Sequence, residues 1–387
     1  MNKYIFALAA TILAFGSCVN DDKYTWDDFS DKTSTDTITI GITFQEQSVV
    51  VEGDLYGFVN SNGAHVTVNS STNKFLQLVL RGESSNGSLL INSWKAHGVL
   101  LNGLNLTNPN GPAINNQCSK AFYVTNAEGA INTLTDGTTY AEAPLNAKGE
   151  SIDQKATLFS EGQIYFNGTG TLNINGNAKN AVASDDYITI NNSTLNIKVS
   201  TTGSNGIKAN DGVFIKGGNI DIEVNALGSR GIRNEARTEI SGGVINIKTT
   251  GDCKIETIDG ITDTTSCAGI KSDSLFTMTA GTVTISSTGD GGKGINCSQN
   301  IEISGGNINV STTGGKKLSK PKAVKSDTGI ILRGGSFYAT CYKSWACDNG
   351  YEENDAEDDE EIAKKRVTVI GSPTLSIITK REVKVTF

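Results

Sequence analysis

Histidine, proline and methionine are nearly missing: the 387 residues include 2 His, 5 Pro and 2 Met. Two histidines argue against a His-ligated metal centre and against a Ser/His/Asp hydrolase. Aromatics are thin at 7%, and Trp26, Trp94 and Trp345 are scattered rather than aligned. An excess of basic residues is also lacking. The 33 Lys and Arg against 41 Asp and Glu leave a net charge of −8, which disfavours nucleic acid as a partner. What the chain has in plenty is turn formers, 43 Gly and 37 Asn, and both are poor in helices. A hydrophobic share of 37% still suffices for a core, so disorder is excluded. The class that remains is a turn-rich β protein of one large domain or two.

The N-terminus reads as an address. Lys3 supplies a positive start, Tyr4 to Phe15 an apolar stretch, and Gly16-Ser17-Cys18 a small-residue cleavage site. The stretch is too short to span a bilayer. It resembles a bacterial lipoprotein signal in which Cys18 becomes the acylated N-terminus. Asp21, Asp22, Asp27 and Asp28 follow, and resemble the surface-export signal of some Gram-negative envelopes. An ordinary secretory signal cut elsewhere is the alternative. The expected layout is a signal peptide over 1–17, then Cys18 and a flexible tether over 18–35. A single β domain follows over 36–387. Membrane contact is then through the lipid alone, at the outer-membrane surface.

From residue 166 the sequence repeats. A Gly or Ser followed by an alternating strand recurs at Gly170, Ser193, Gly218, Gly243, Gly281, Gly306 and Gly335, in steps of 23, 25, 25, 38, 25 and 29. A second register (Ala181, Gly206, Gly231, Gly269, Gly294, Ala323) and a third (Ile190, Ile215, Ile240, Met278, Ile303, Leu332) keep the same later steps. Three short strands per repeat cannot each bury a face alone, so repeats must stack. Equal spacing without two-residue hairpin signals predicts a parallel β-helix, three-faced, with about 4.8 Å per coil. A β-propeller, the weaker alternative, needs repeats of about 40–45 residues. Residues 36–165 read as looser coils of the same stack, 166–345 as the regular repeats, and 367–387 as the last strands.

The irregular steps locate two insertions, between Ile247 and Gly269 and between Val310 and Ala323. Both fall in the same turn of the coil, so both are expected to project from one edge, where repeat proteins often bind. The first carries Asp252, Asp259 and Asp263; the second carries Lys316, Lys317 and Lys320. Beside that edge run two outward columns, two residues apart and so on one face. One reads Ala183, Lys208, Arg233, Lys271, Asn296, Lys325; the other Asp185, Asn210, Glu235, Asp273, Ser298, Asp327. Mutual charge satisfaction on a solvated face is one account. The other is a polar groove for sugars, with Lys208, Arg233, Lys271, Lys325, Asn210 and Glu235 as its binding residues.

Six cysteines remain after Cys18, which permits three disulfides in any of fifteen pairings. Cys253 with Cys267 and Cys341 with Cys347 are the pairs that sequence proximity allows. Cys118 and Cys297 fit an inward column of small residues and read as buried thiols. The run from Asp348 to Glu361 holds nine acidic residues and no basic one, and reads as a solvated loop.

Leu134-Thr-Asp-Gly-Thr-Thr-Tyr140, then Ala156-Thr-Leu-Phe-Ser160 and Phe166-Asn-Gly-Thr-Gly-Thr-Leu-Asn-Ile-Asn-Gly176, together with the Gly-Ile-Lys and Ser-Gly-Gly repeats, carry a resemblance over about residues 75–345. The chain resembles bacterial cell-surface carbohydrate-binding β-helix proteins. That resemblance implies a right-handed, pectate-lyase-like coil that binds cellulose or acidic polysaccharides such as polygalacturonate, with bound calcium. The family's Asp-Asp-Gly-Ile calcium turn reads Ser204-Asn205-Gly206-Ile207 and Ser229-Arg230-Gly231-Ile232 here. Asp185, Asp273, Asp290 and Asp327 are the carboxylates left as calcium candidates. The leading functional reading is a non-catalytic, surface-anchored polysaccharide-binding protein. A polysaccharide lyase using Lys208, Arg233 or Lys271 as base is one alternative, and a structural adhesin for host surfaces is another.

Overall fold

A computed structural model describes residues 36–258, 260–353, 357–380 and 383–385. The signal segment, Cys18, the tether and Asp259 lie outside the described residues. Within them the chain is nearly all β.

Alternation builds each strand. In Thr194–Val199 the residues Leu195, Ile197 and Val199 are buried, while Thr194, Asn196 and Lys198 face outward. With only one apolar face, such a strand is stable when the next coil extends its sheet. Every regular strand therefore pairs in parallel with the strand three places later. Three ladders result. In the first, Leu172, Leu195, Ile220, Ile245, Val283, Ile308, Phe337 and Leu375 lie directly over one another. In the second the series is Leu158, Val182, Ile207, Ile232, Ile270, Ile295, Val324 and Cys347. In the third it is Phe166, Ile190, Ile215, Ile240, Met278, Ile303, Leu332 and Val369. The three registers seen in the sequence are these three ladders, and the arrangement is β-helix-like. Their inward side chains form one continuous apolar core from Ile40 to Val385.

Glycine and asparagine serve the stacking. A Cβ on Gly231 would lie 2.4 Å from Ile247 Cγ2 and 2.7 Å from the Gly269 carbonyl oxygen, so only glycine lets these coils approach. Asparagines bond coil to coil, outward where Asn196 Nδ2 donates to Asn173 Oδ1 at 2.9 Å and buried where Asn205 Nδ2 donates to Asn180 Oδ1 at 2.9 Å.

Antiparallel pairs close both ends. Thr37–Gln45 pairs with Ser48–Glu52, and Thr374–Ile378 with Lys384–Val385. The first insertion is a β-hairpin, Lys254–Ile258 against Ile261–Thr265. The second folds against its base, where Lys317 Nζ meets Asp252 Oδ2 at 2.9 Å. The two insertions thus share one edge.

The acidic run departs from the expected solvated loop. Helix α1, Asp359–Lys365, is capped by Asp358, whose side chain accepts from the amides of Glu360 and Glu361. Asp348 is bound to Lys322 of the coil stack and to Arg366 just after the helix, and Glu353 to Arg366 as well. Residues 354–356 lie outside the described residues. The cysteines also depart from expectation. Cys253, Cys267, Cys341 and Cys347 are free thiols, as are Cys118 and Cys297, and all six are buried. Cys267 Sγ instead donates to the Ala226 carbonyl at 3.4 Å, and Cys341 Sγ to that of Pro321 at 3.6 Å. Cys297 takes its place in the inward column between Ser272 and Ser326.

Candidate functional site

The second ladder presents its outward side to the insertion edge. Lys208, Arg233, Lys271, Asn296 and Lys325 stack in register there, one per coil. The acidic column stands beside them, held by backbone bonds from Asn210, Glu235, Asp273 and Asp327 to the preceding coil. The charges pair along and across the coils. Lys208 Nζ lies 3.4 Å from Glu235, Arg233 2.6 Å and Lys271 2.9 Å from Asp273, and Lys325 bonds Asp327. Burial works to raise the Asp273 carboxyl, but bonds and charge from Lys271 and Arg233 outweigh it and hold it below the usual range. Asn210 Oδ1 is buried and has no hydrogen-bond partner among the described residues.

The four calcium candidates do not converge. Asp273 and Asp327 are occupied by cations. Asp290 accepts from the Gly315 amide at 2.7 Å, in a separate turn. Asp185 alone joins a carboxylate group: it, Asp153 and Glu161 bring oxygens within 4.8 Å of one another. Lys155 Nζ already reaches two of them, at 2.7 Å from Asp153 and 2.5 Å from Asp185. Burial first, then the charges of Asp185 and Asp153, push the Glu161 carboxyl up to about 7. The oxygen donors suit a hard cation only where the Lys155 ammonium gives way.

Three residues before the basic column runs a fourth register, Arg230, Ala268, Lys293 and Lys322. Its residues precede the Gly-Ile or Ala-Val pair, so the repeat alignment contains the signal that would have found them. Lys293 and Lys322 are only 5% and 6% exposed. They form the floor of a cavity of about 390 Å³ whose walls are Ser319 and Lys320 of the second insertion and the C-terminal segment that carries Trp345, Asp348, Tyr351, Glu353 and Arg366. Asp348 bridges Lys322 and Arg366, each at 2.7 Å. Arg366, 3% exposed, also reaches Glu353 at 3.1 Å and lies 5.1 Å from the Trp345 ring centre. Lys325 is the one residue of the cavity named from sequence as a site candidate; Arg366 stands outside the repeats and gave no signal.

The third ladder carries an aromatic row that scattered tryptophans did not suggest. Tyr123, Tyr165, Tyr187 and Phe214 contact in series, with ring centres 5.0, 5.8 and 5.7 Å apart. It ends at a hollow of about 100 Å³ between Phe214, Glu239 and Thr277. Tyr165, Tyr187 and Phe214 are partly exposed.

The Leu-Thr-Asp-Gly segment is architectural. Asp136 is buried, accepts from Tyr140 OH at 2.7 Å and from the Asn177 amide at 2.6 Å, and so ties the loop to the next coil. A Cβ on Gly137 would fall 1.7 Å from the Pro109 carbonyl oxygen.

A family model described as carbohydrate-binding domain-containing protein matches residues 62–229 and 221–317. No curated protein matches the chain. A solved structure, the polysaccharide lyase-like protein from C. thermocellum in a gadolinium derivative, covers 69% of this chain and 97% of its own at a TM-score of 0.55. Identity to it is 22%, so the likeness concerns the fold alone.

Proposed function

The chain belongs to the family of carbohydrate-binding domain-containing proteins, and from that we propose that it is a non-catalytic polysaccharide-binding protein for acidic or plant-type glycans. The single observation that carries the acidic preference is the file of cations along the second ladder, in a chain whose net charge is −8. An extended glycan laid across the coils meets a side chain of similar chemistry at each step. Because each cation sits against a carboxylate of the neighbouring column, the file offers sugar groups a row of charged donors and acceptors that fixes orientation, not a net positive field. The partly exposed aromatic row supplies a second, stacking surface for sugar rings.

The ion pairs support a binding role over a lyase role. Proton abstraction needs a base poised near working pH beside the substrate carbon, whereas Lys208, Arg233 and Lys271 are each committed to a carboxylate. In this reading the coil is a right-handed, three-faced parallel β-helix. It is held at the outer-membrane surface by the acylated Cys18 and has no other membrane contact. Among the described residues no helix is long and apolar enough to cross a membrane. Calcium is proposed only at Asp153, Glu161 and Asp185.

The test is retention of the purified chain in gels containing polygalacturonate, cellulose derivatives or neutral galactan, with calcium and with chelator. Retardation by at least one polysaccharide, without growth of unsaturated-product absorbance, is expected. Unretarded migration in all of them overturns the proposal.

A further inference from the structure

The cavity at the C-terminal end of the cation file has chemistry that the ion-paired column lacks. Five cationic side chains line it against two carboxylates; those two are spent on Lys322 and Arg366, and Lys325 pairs with Asp327, which leaves Lys293 and Lys320. Lys293 is buried without an anionic partner among the described residues. Its ammonium donates to three neutral oxygens, the carbonyls of Gly291 (3.1 Å) and Lys320 (2.5 Å) and Ser319 Oγ (2.7 Å). A buried cation solvated by neutral groups alone is costly. Burial, followed by the charges of Lys322 and Lys325, accordingly pulls Lys293 down to about 8. Lys320 is exposed at the rim and forms no ion pair among the described residues. Arg366, nearly wholly buried, leaves its Nε without an acceptor among the described residues. The volume of about 390 Å³ is that of a small-molecule site rather than of a few trapped waters.

We infer that this cavity seats an acidic sugar residue of the bound glycan, its carboxylate or sulfate ester neutralising the Lys293 and Lys320 end of the site. The inference rests on the polysaccharide-binding reading and assigns one subsite within it. The second insertion supplies both Ser319 and Lys320, so the irregular repeat step becomes the device that builds the subsite. A polymer lying along the cation file runs into the cavity, which then reads one charged unit while the file holds the rest.

The experiment is calorimetric titration of the full chain with trigalacturonate, with the corresponding neutral galactose trimer and with inorganic sulfate. Wild type, Lys320→Gln and Lys293→Met are compared. The expected result is binding of the acidic trimer at least about 10-fold tighter than the neutral one. Lys320→Gln should weaken it about 3- to 10-fold with unchanged melting, and Lys293→Met more, since it removes a buried positive charge that no carboxylate neutralises rather than a solvated rim charge. Trp345 fluorescence should respond to the acidic trimer and lose that response in Trp345→Phe. Equal binding of the acidic trimer by all variants overturns the subsite while leaving polysaccharide binding intact. A preference for the neutral trimer does the same. Sulfate competing as well as the trimer overturns the assignment to a sugar. Binding of no saccharide, together with unretarded migration in every polysaccharide gel, overturns both. Should Lys293→Met fail to fold, Lys320→Gln at the exposed rim decides alone.

Discussion

Asp348→Asn is the sharpest perturbation of the C-terminal cap. Its carboxylate lies 2.7 Å from Lys322 and 2.7 Å from Arg366, and no side chain of the three is more than 19% exposed. Breaking a buried pair by removing one member typically costs about 3–5 kcal/mol. Arg366 retains Glu353 at 3.1 Å, so Lys322 is the charge left stranded. It has one escape, loss of its proton. Neutralising an ordinary lysine at pH 7 costs about 4.6 kcal/mol, which sets a ceiling. Burial already pulls Lys322 down, so the actual penalty falls below that ceiling, at about 3 kcal/mol. In stacked coils the end opens locally before the whole unfolds. The assay is therefore hydrogen exchange and limited proteolysis of residues 344–380 rather than global melting alone. About 3 kcal/mol appears as roughly 150-fold faster exchange there, with the central coils unchanged. The sign with pH follows from the depressed carboxyl of Asp348. Burial works to raise it, but bonds and charge from Lys322 and charge from Arg366 prevail. Its stabilisation is complete above the unfolded carboxylate range near about 4 and is lost as pH falls through the lower folded value. The difference between wild type and variant should hence shrink at the acid end. Equal exchange in both proteins at pH 7 would refute the reasoning, because Lys322 would then be hydrated.

Three further outcomes follow from the same reasoning. Gly294→Val places a Cβ 2.0 Å from Val310 Cγ1 and 2.4 Å from the Ala323 carbonyl oxygen, and should cost at least about 3 kcal/mol in denaturant unfolding. Glu161 titrates near 7 in the fold, above its ordinary range, so its native state is favoured at low pH and loses stability as pH rises from about 4.5 to 7. Glu161→Gln should therefore stabilise by about 1–2 kcal/mol at pH 8 and by little at pH 4, allowing for solvent screening, as thermal melts at both pH values would read. Tyr140→Phe removes the hydroxyl that donates to the buried Asp136 and should lower stability by about 1–3 kcal/mol without affecting glycan retention. Impaired retention at unchanged stability would place the Leu-Thr-Asp-Gly loop in the binding surface instead.

How much was legible differs between fold and site. Ile220, Ile245 and Val283 announce their stacking because period-two alternation and a constant step are local, repeated many times, and enforced by one apolar interior. The basic and acidic columns follow from the same register. Whether Lys271 is free or paired does not, because that depends on where the Asp273 carboxylate rests. The aromatic row escaped notice because its members change position within the repeat: Tyr165 lies over Tyr123, but Tyr187 lies over Gly212 and reaches Phe214 sideways.

By itself the sequence determined the strands, their registers, the shared edge of the two insertions and the inward or outward sense of each repeated position. All of these are set by nearest-coil pairing, where one coil's pattern constrains the next. The tertiary structure alone decided the cavity, the pairing of Asp348 with Lys322 and Arg366, and the free state of Cys341 and Cys347. Those depend on how a non-repeating segment after the last regular coil folds back. No neighbour of the same pattern constrains it, and a buried charge takes whichever partner that fold brings within reach.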